Sequence, residues 1–171
     1  MKKVIFSVMV VAVATMVFSS CDKDKTNTEM LTNKKGWKLV EATSSPSYEL
    51  ANGSKISNLR DGYLRDFELD DIIFFKEDGA LTVDPGSKLP AAEQAGWKTA
   101  KTIGTWAFLE KETKIKMQIP FWYPANEADT RDADVVDLNL LDKDNLRVSL
   151  TFTEAETGFK YTFALVYAIN K

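Results

Sequence analysis

The side chains that could perform acid–base chemistry in this 171-residue chain are carboxylates, lysines and tyrosines, because the sequence contains no histidine. Histidine is the usual general base near neutral pH and a common metal ligand. Its absence argues against serine hydrolase triads, zinc hydrolases and histidine-based transferases. An enzyme would instead need two carboxylates, or a lysine, buried in a cleft that shifts their ionisation. We predict that the protein is not an enzyme and has no catalytic residue.

Two groups of acidic residues offer oxygen ligands for a metal ion. They are Asp142-Lys143-Asp144-Asn145 and the set Asp129, Asp132, Asp134 and Asp137. The first group lacks the glycine and the distal glutamate of a calcium-binding loop. Turn and solvated-loop roles explain both groups, so we predict no metal site and no cofactor.

The only cysteine, Cys21, ends an N-terminal segment of basic, then apolar, then small residues. Residues 1–3 include two lysines, residues 4–18 are mostly apolar, and Ser19 and Ser20 precede the cysteine. This order is typical of a secretory signal, and the apolar run is short for a membrane-spanning helix. The segment resembles the bacterial lipobox, which implies that Cys21 is acylated and anchors the protein to a membrane. An ordinary signal peptide and an uncleaved single-pass anchor remain the alternatives.

Composition limits what the rest of the chain can be. Without residues 1–20 the chain has 151 residues, with 20 basic and 25 acidic side chains and a net charge of −5. This length predicts one domain. No basic patch is present, so we predict that nucleic acid is not a partner. With its one cysteine assigned to the lipid, the domain has no disulfide and depends on its core.

The chain after Cys21 divides into a tether and a folded body. Residues 22–35 are polar and lack periodicity, which predicts a flexible linker spanning about 20 Å. We therefore divide the chain into a signal peptide (1–20), a lipidated cysteine with its tether (21–35) and a β-domain (36–171).

The body alternates short β-branched and aromatic runs with turn signals, which is typical of an antiparallel all-β protein. We predict eight strands, at 36–43, 70–76, 80–84, 103–109, 113–119, 135–141, 146–153 and 159–169. Connections two–three, four–five and six–seven are short, whereas one–two, three–four and five–six are long. One end of the meander is therefore expected to carry hairpins and the other long loops, with the loop-rich end facing away from the membrane.

Two of the long connections carry helical signals. Residues 89–96 place Pro90 near a helix start and Gly96 just past its end. Residues Ile56, Leu59, Tyr63 and Phe67 have near-helical spacing in the first long connection. We predict short helical turns in these loops.

Three segments resemble those of a known family. They are Lys35-Gly36-Trp37-Lys38-Leu39-Val40, the run from Phe74 to Thr82, and Gly104-Thr105-Trp106-Ala107-Phe108. Together with the eight-strand meander they resemble the lipocalin-like (calycin-type) lipoproteins of Bacteroidota. The resemblance implies an eight-stranded antiparallel up-and-down barrel and an outer-membrane lipoprotein, on the periplasmic or the cell-surface face. It implies no catalytic residue and no particular ligand.

A barrel of this size is either filled by its own side chains or holds one small ligand. The predicted inward residues are large and apolar, which favours a filled interior and leaves a cavity near the loop-rich end as the alternative. They are Leu39, Ile115, Met117, Val136, Leu138, Leu140, Val148, Leu150, Phe152, Tyr161, Phe163 and Leu165. Glu41, which alternates with Trp37 and Leu39, is the predicted polar anchor of such a cavity.

Aromatic residues in the long connections form the second candidate site. They are Phe121, Trp122 and Tyr123, with Tyr48, Tyr63 and Trp97 at the same end. Exposed aromatic rings suit sugar faces or a protein partner, although the same rings could instead seal the barrel. We predict a lipid-anchored, non-catalytic, extracytoplasmic binding module for a small apolar ligand or glycan. The alternative is an accessory envelope lipoprotein with a filled barrel that docks on a protein partner.

Overall fold

The fold is a closed barrel of eight antiparallel strands, and the described part of the chain adds one short strand and two short helices. The computed structural model describes residues 25–50, 52–66, 68–88, 101–117, 134–154 and 157–171. Strand β1 pairs with the last strand and thereby closes the barrel. The predicted all-β, eight-stranded up-and-down architecture is confirmed.

The element bounds follow the chain in the order α1, β1, β2, α2 and then β3 to β9. They are α1 (Asn27–Leu31), β1 (Trp37–Glu49), β2 (Lys55–Asn58), α2 (Leu59–Gly62), β3 (Ile72–Phe75), β4 (Ala80–Asp84), β5 (Lys101–Leu109), β6 (Lys114–Met117), β7 (Asp134–Leu141), β8 (Asn145–Thr153) and β9 (Lys160–Ile169). The sheet order is β2-β1-β3-β4-β5-β6-β7-β8-β9, and β1 also pairs with β9.

Strand β1 ends six residues later than predicted and changes partners along its length. Its start pairs with β3, its far end pairs with β2, and most of its length pairs with β9. A tight turn with Gly53 at φ +80° joins β1 to β2. Ile56 therefore lies in a strand and only Leu59 lies in the short helix α2, which corrects the helical spacing expected there. Phe67 and the helical turn expected at 89–96 lie outside the described residues.

Tight turns gather at one end of the barrel, which we call the closed end, and longer connections gather at the other, the loop-rich end. The closed-end turns join β3 to β4, β5 to β6 and β7 to β8. In the last of these turns the Asp142 carboxylate accepts hydrogen bonds from the backbone N–H groups of Asp144 (2.8 Å) and Asn145 (2.7 Å). These bonds lower the pKa of Asp142, and the predicted turn role of this segment is confirmed.

Helix α1 covers the closed end, which differs from the flexible tether expected over 22–35. A capping box between Thr26 and Glu29 starts this helix. Leu31 is fully buried, and the Trp37 indole N–H donates a 2.8 Å hydrogen bond to its carbonyl. The Asn27 side-chain amide also donates to Glu112 in the β5–β6 turn at 2.9 Å. The sequence did not predict this helix because it is polar and lacks periodicity, and only one residue of the helix is buried.

The core occupies the inner face of the barrel, as the alternation of the strands predicted. Trp37, Ile115, Met117 and Val136 are fully buried there. Leu140 is an exception: a register shift between Leu138 and Leu140 puts Leu140 on the outer face, where it is 38% exposed. Its predicted inward position is therefore wrong. The mechanism is a β-bulge, which adds one residue and reverses the alternation.

The β5–β6 turn holds three consecutive non-glycine residues with positive φ: Glu110 (48°), Lys111 (57°) and Glu112 (67°). Each such residue costs about 1–2 kcal/mol in this region. We expect Lys111→Gly to raise the free energy of unfolding by about 0.5–1 kcal/mol, after the greater freedom of glycine in the unfolded chain is included. Urea denaturation measures this change. Lys143→Gly, in a turn without positive φ, is the control, and a gain of the same size there would contradict the explanation.

Candidate functional site

Four aromatic side chains lie on the inner face at the loop-rich end: Tyr48, Phe152, Tyr161 and Phe163. We call them the aromatic cluster. Phe152 on β8 lies directly opposite Tyr161 on β9. Tyr161 and Phe163 are buried, whereas Tyr48 and Phe152 are partly buried. Aromatic surface therefore lines one wall of the barrel opening at the loop-rich end, which we call the mouth.

The rings of the cluster contact one another in several orientations. The centroid of Tyr48 lies 5.3 Å from that of Tyr161 and 5.8 Å from that of Phe163, both edge to face. Phe152 stacks on Tyr161 at 5.5 Å and lies 4.9 Å from Phe163 in a tilted arrangement. These separations are those of favourable aromatic pairs. The cluster is thus a continuous apolar surface with phenol groups among its rings.

Polar groups adjoin this surface around Tyr48. Burial raises the pKa of the Tyr48 phenol, and the phenols of Tyr63 and Tyr161, when ionised, and the carboxylate of Glu154 raise it further. Tyr63 follows helix α2 and Glu154 begins the turn between β8 and β9. The mouth therefore combines three phenols and one carboxylate with the apolar rings.

The turn between β8 and β9 fixes Glu154 in place. Its backbone N–H donates to the carbonyl of Phe159 at 2.8 Å, and the Gly158 N–H donates to the carbonyl of Glu154 at 2.9 Å. The Thr157 hydroxyl donates to Glu154 Oε2. Phe159, in the same turn, is 62% exposed. The turn thus holds one carboxylate and one exposed ring at the rim of the mouth.

A second carboxyl group, that of Asp71, lies near the loop-rich end of the barrel. It directly precedes β3, in which Ile73 and Phe75 are buried, so continued alternation puts Asp71 on the inner face. Burial raises the pKa of the Asp71 carboxyl to about 7, and the negative charges of Asp70, Glu68 and Asp84 act in the same direction. A substantial fraction of this carboxyl is therefore protonated near neutral pH.

Asp70, next to Asp71, has a structural role. Its Oδ2 accepts hydrogen bonds from the backbone N–H groups of Ser87 (2.8 Å) and Lys88 (3.1 Å), which hold the chain after β4. A Cβ at Gly86, whose φ is +63°, would lie 2.5 Å from Asp70 Cγ. Glycine is therefore required where this loop passes the carboxylate.

Glu41 does not lie where the sequence predicted. A register shift between Leu39 and Glu41 places Val40 and Glu41 in succession on the exposed side. Glu41 pairs with Val166, whereas Ala42 pairs with the buried Leu165. Glu41 therefore faces away from the barrel interior, and its predicted role as the polar anchor of an internal cavity is wrong.

Of the other predicted site residues, Tyr48 and Tyr63 are described. Tyr48 belongs to the aromatic cluster, and Tyr63 is 49% exposed and, when ionised, raises the pKa of the Tyr48 phenol. The remaining five lie outside the described residues: Cys21, Trp97, Phe121, Trp122 and Tyr123. The structure thus places Tyr48 in the aromatic cluster and Tyr63 beside it.

Sequence reasoning missed Asp71 and Glu154 as site residues and treated Phe152, Tyr161 and Phe163 only as core. A usable signal was the row of alternate aromatics Phe159, Tyr161 and Phe163 at the start of the last strand, which begins beside a loop. For Asp71 the signal was its position two residues before Ile73 in a strand with strict alternation.

Within the described ranges, no group of three or more histidine, cysteine or acidic residues could hold a metal ion. In the same part of the chain, no helix has both the length and the hydropathy needed to cross a membrane. Comparison with models of known protein families gives no match, and comparison with curated proteins gives no significant match either.

Proposed function

We propose that this protein is a lipid-anchored, non-catalytic, extracytoplasmic binding module whose loop-rich mouth takes a small apolar ligand or a glycan. The observation that carries the proposal is the aromatic cluster, which lines the inner face of the barrel at the mouth. A β-barrel is compatible with a binding module. Its kinship with lipocalin-like lipoproteins of Bacteroidota and its place in the outer membrane belong to the same proposal.

The cluster suits an apolar ligand because two of its rings are only partly buried. Tyr48 and Phe152 retain exposed surface, although the deeper Tyr161 and Phe163 are covered. Covering such surface is favourable by about 25 cal/mol for each Å² removed from water. The phenol edges provide hydrogen bonds for a polar head or a sugar hydroxyl.

Helix α1 supports an orientation in which the mouth faces away from the anchoring membrane. The helix caps the closed end, and its N-cap, Thr26, is five residues after Cys21. Five extended residues span at most about 18 Å. A lipid on Cys21 therefore holds the closed end near the bilayer, and a ligand reaches the mouth from the opposite side.

The test is binding of 1-decanol to the mature chain, residues 21–171, with Cys21→Ser so that no lipid is attached. We expect saturable binding in calorimetry, and we expect Tyr48→Ala to weaken it about tenfold by removing ring surface. Phe74→Ala, which removes an aromatic ring beside Lys76 at the closed end, is the matched control and should leave the affinity unchanged. Absence of binding, or equal loss in both variants, would contradict the proposal.

The accessory lipoprotein that docks on an envelope protein is the second candidate. It is favoured by the exposure of Phe159 (62%) and Tyr63 (49%) at the rim. A photo-crosslinking residue at position 159 in intact cells tests it. One discrete adduct, lost in Tyr63→Ala and kept in Tyr48→Ala, would favour docking over ligand binding.

A further inference from the structure

The rim of the mouth brings phenol rings and a carboxylate together in a way that resembles the chemistry of cation recognition. Tyr48 lies edge to face with Tyr161 at 5.3 Å, and the negative charge of Glu154 raises the pKa of its phenol, as does Tyr63 when ionised. Aromatic faces attract ammonium groups because the face of the ring carries negative potential. A carboxylate beside the rings adds a full counter-charge.

The carboxylate of Glu154 can still accept a hydrogen bond or ion pair from an ammonium group. Its Oε2 accepts the Thr157 hydroxyl. Among the described residues no lysine or arginine forms an ion pair with Glu154, and no hydrogen bond reaches its Oε1. The carboxylate is therefore available to a ligand at the rim.

The charge of the whole loop-rich end favours the same sign of ligand. Its described residues include nine acidic side chains, of which Asp71 is partly protonated near neutral pH, and six basic ones. They are Glu49, Asp61, Asp66, Glu68, Asp70, Asp71, Asp84, Asp134 and Glu154 against Lys55, Arg60, Arg65, Lys88, Lys101 and Lys160. Three of the basic side chains are already in local ion pairs with Glu49, Asp61 and Glu68. The net negative field attracts cations and repels anions.

We infer that the mouth binds an apolar molecule that carries an amine or quaternary ammonium group, with its cation against the tyrosine rings and Glu154 as its counter-charge. This inference rests on the proposed ligand-binding function and narrows its substrate class. The apolar part of the ligand covers the aromatic cluster, while the cation stays at the rim. Fatty acids and other anionic amphiphiles are disfavoured by the same charges.

The experiment compares three ligands with one decyl chain and different heads: decyltrimethylammonium, 1-decanol and decyl sulfate. They are titrated calorimetrically, below micelle formation, into the mature chain with Cys21→Ser. We expect the cation to bind about tenfold tighter than the alcohol, and the sulfate to bind weakest. Added salt should narrow the difference between the charged ligands, because it screens charge at an exposed rim.

Two variants connect the preference to these residues. Glu154→Gln should reduce the preference for the cation over the alcohol about threefold or more, while Glu77→Gln, the same charge change in a closed-end turn, should preserve it. Tyr63→Leu, at a half-exposed position, should reduce the preference for the cation over 1-decanol.

The outcomes separate this inference from the proposed function. If 1-decanol binds and the cation binds no tighter, the inference is overturned and the ligand-binding function stands. If none of the three ligands binds, the proposed function itself fails. A cation preference that is unchanged in both Glu154→Gln and Tyr63→Leu would overturn the assignment of these residues.

Discussion

Replacing Trp37 by alanine is expected to lower the free energy of unfolding by about 3–5 kcal/mol. Trp37 is fully buried, begins β1 and pairs with both β3 and β9. Its indole N–H also donates to the Leu31 carbonyl, which holds α1 over the closed end. The substitution removes a large part of the core and leaves that carbonyl without its partner. Urea denaturation monitored by circular dichroism measures the loss.

Two further variants separate packing from hydrogen bonding. Trp37→Phe retains much of the ring volume but loses the hydrogen bond to Leu31, so we expect a smaller loss, about 1–3 kcal/mol. Tyr63→Ala removes an aromatic ring that is 49% exposed and should change stability by about 0.5 kcal/mol or less. A loss below about 1 kcal/mol for Trp37→Ala would contradict the role of Trp37 in packing the core and holding α1 over the closed end.

The second large effect is a loss of stability with rising pH that depends on Asp71. Its folded-state pKa is about 7, above the ordinary value of 3.8. Between these two values the folded state keeps the proton that the unfolded state has released, so stability is greatest below about pH 4. It falls as pH rises to about 7 and is constant above. A shift of about three pKa units corresponds to at most about 4 kcal/mol.

Asp71→Asn should abolish this loss because asparagine does not titrate. We expect the difference in unfolding free energy between pH 4 and pH 8 to change by up to about 4 kcal/mol relative to the unsubstituted protein. Asp66→Asn, at an exposed position on the same loop, is the control, and we expect this variant to retain the loss of stability that depends on Asp71. Parallel profiles for Asp71→Asn and the unsubstituted protein would contradict the raised pKa.

Alternation made the barrel predictable because strands such as β3, β4, β6 and β9 follow it closely. The strand predicted at 80–84 is β4 (Ala80–Asp84), and the alternating run at Ile115 and Met117 is buried in β6 as expected. Tight turns with glycine or aspartate also marked the closed end. Alternation and turn residues depend only on neighbouring positions, so they can be recognised in the sequence alone.

Register shifts and packing between distant segments were not predictable in this way. The shifts at Leu39/Glu41 and Leu138/Leu140 turn Glu41 and Leu140 outward, and both depend on the partner strand. Helix α1 depends on Leu31 reaching Trp37, which a polar sequence does not reveal. The loop-rich end, where the sequence analysis sought a site, is also the end at which we propose one. The association of Tyr48, Glu154 and Tyr63, however, depends on three segments far apart in sequence.

We propose that a ligand enters the loop-rich mouth and contacts the aromatic cluster. The most direct measurement is the change in backbone amide chemical shifts when 1-decanol is added to isotope-labelled mature chain with Cys21→Ser. Our account predicts that the largest changes fall at Tyr48, Phe152, Tyr161 and Phe163, with little change at the closed-end turns that join β3 to β4 and β7 to β8. Changes centred on the closed end, or no saturable changes at all, would contradict it.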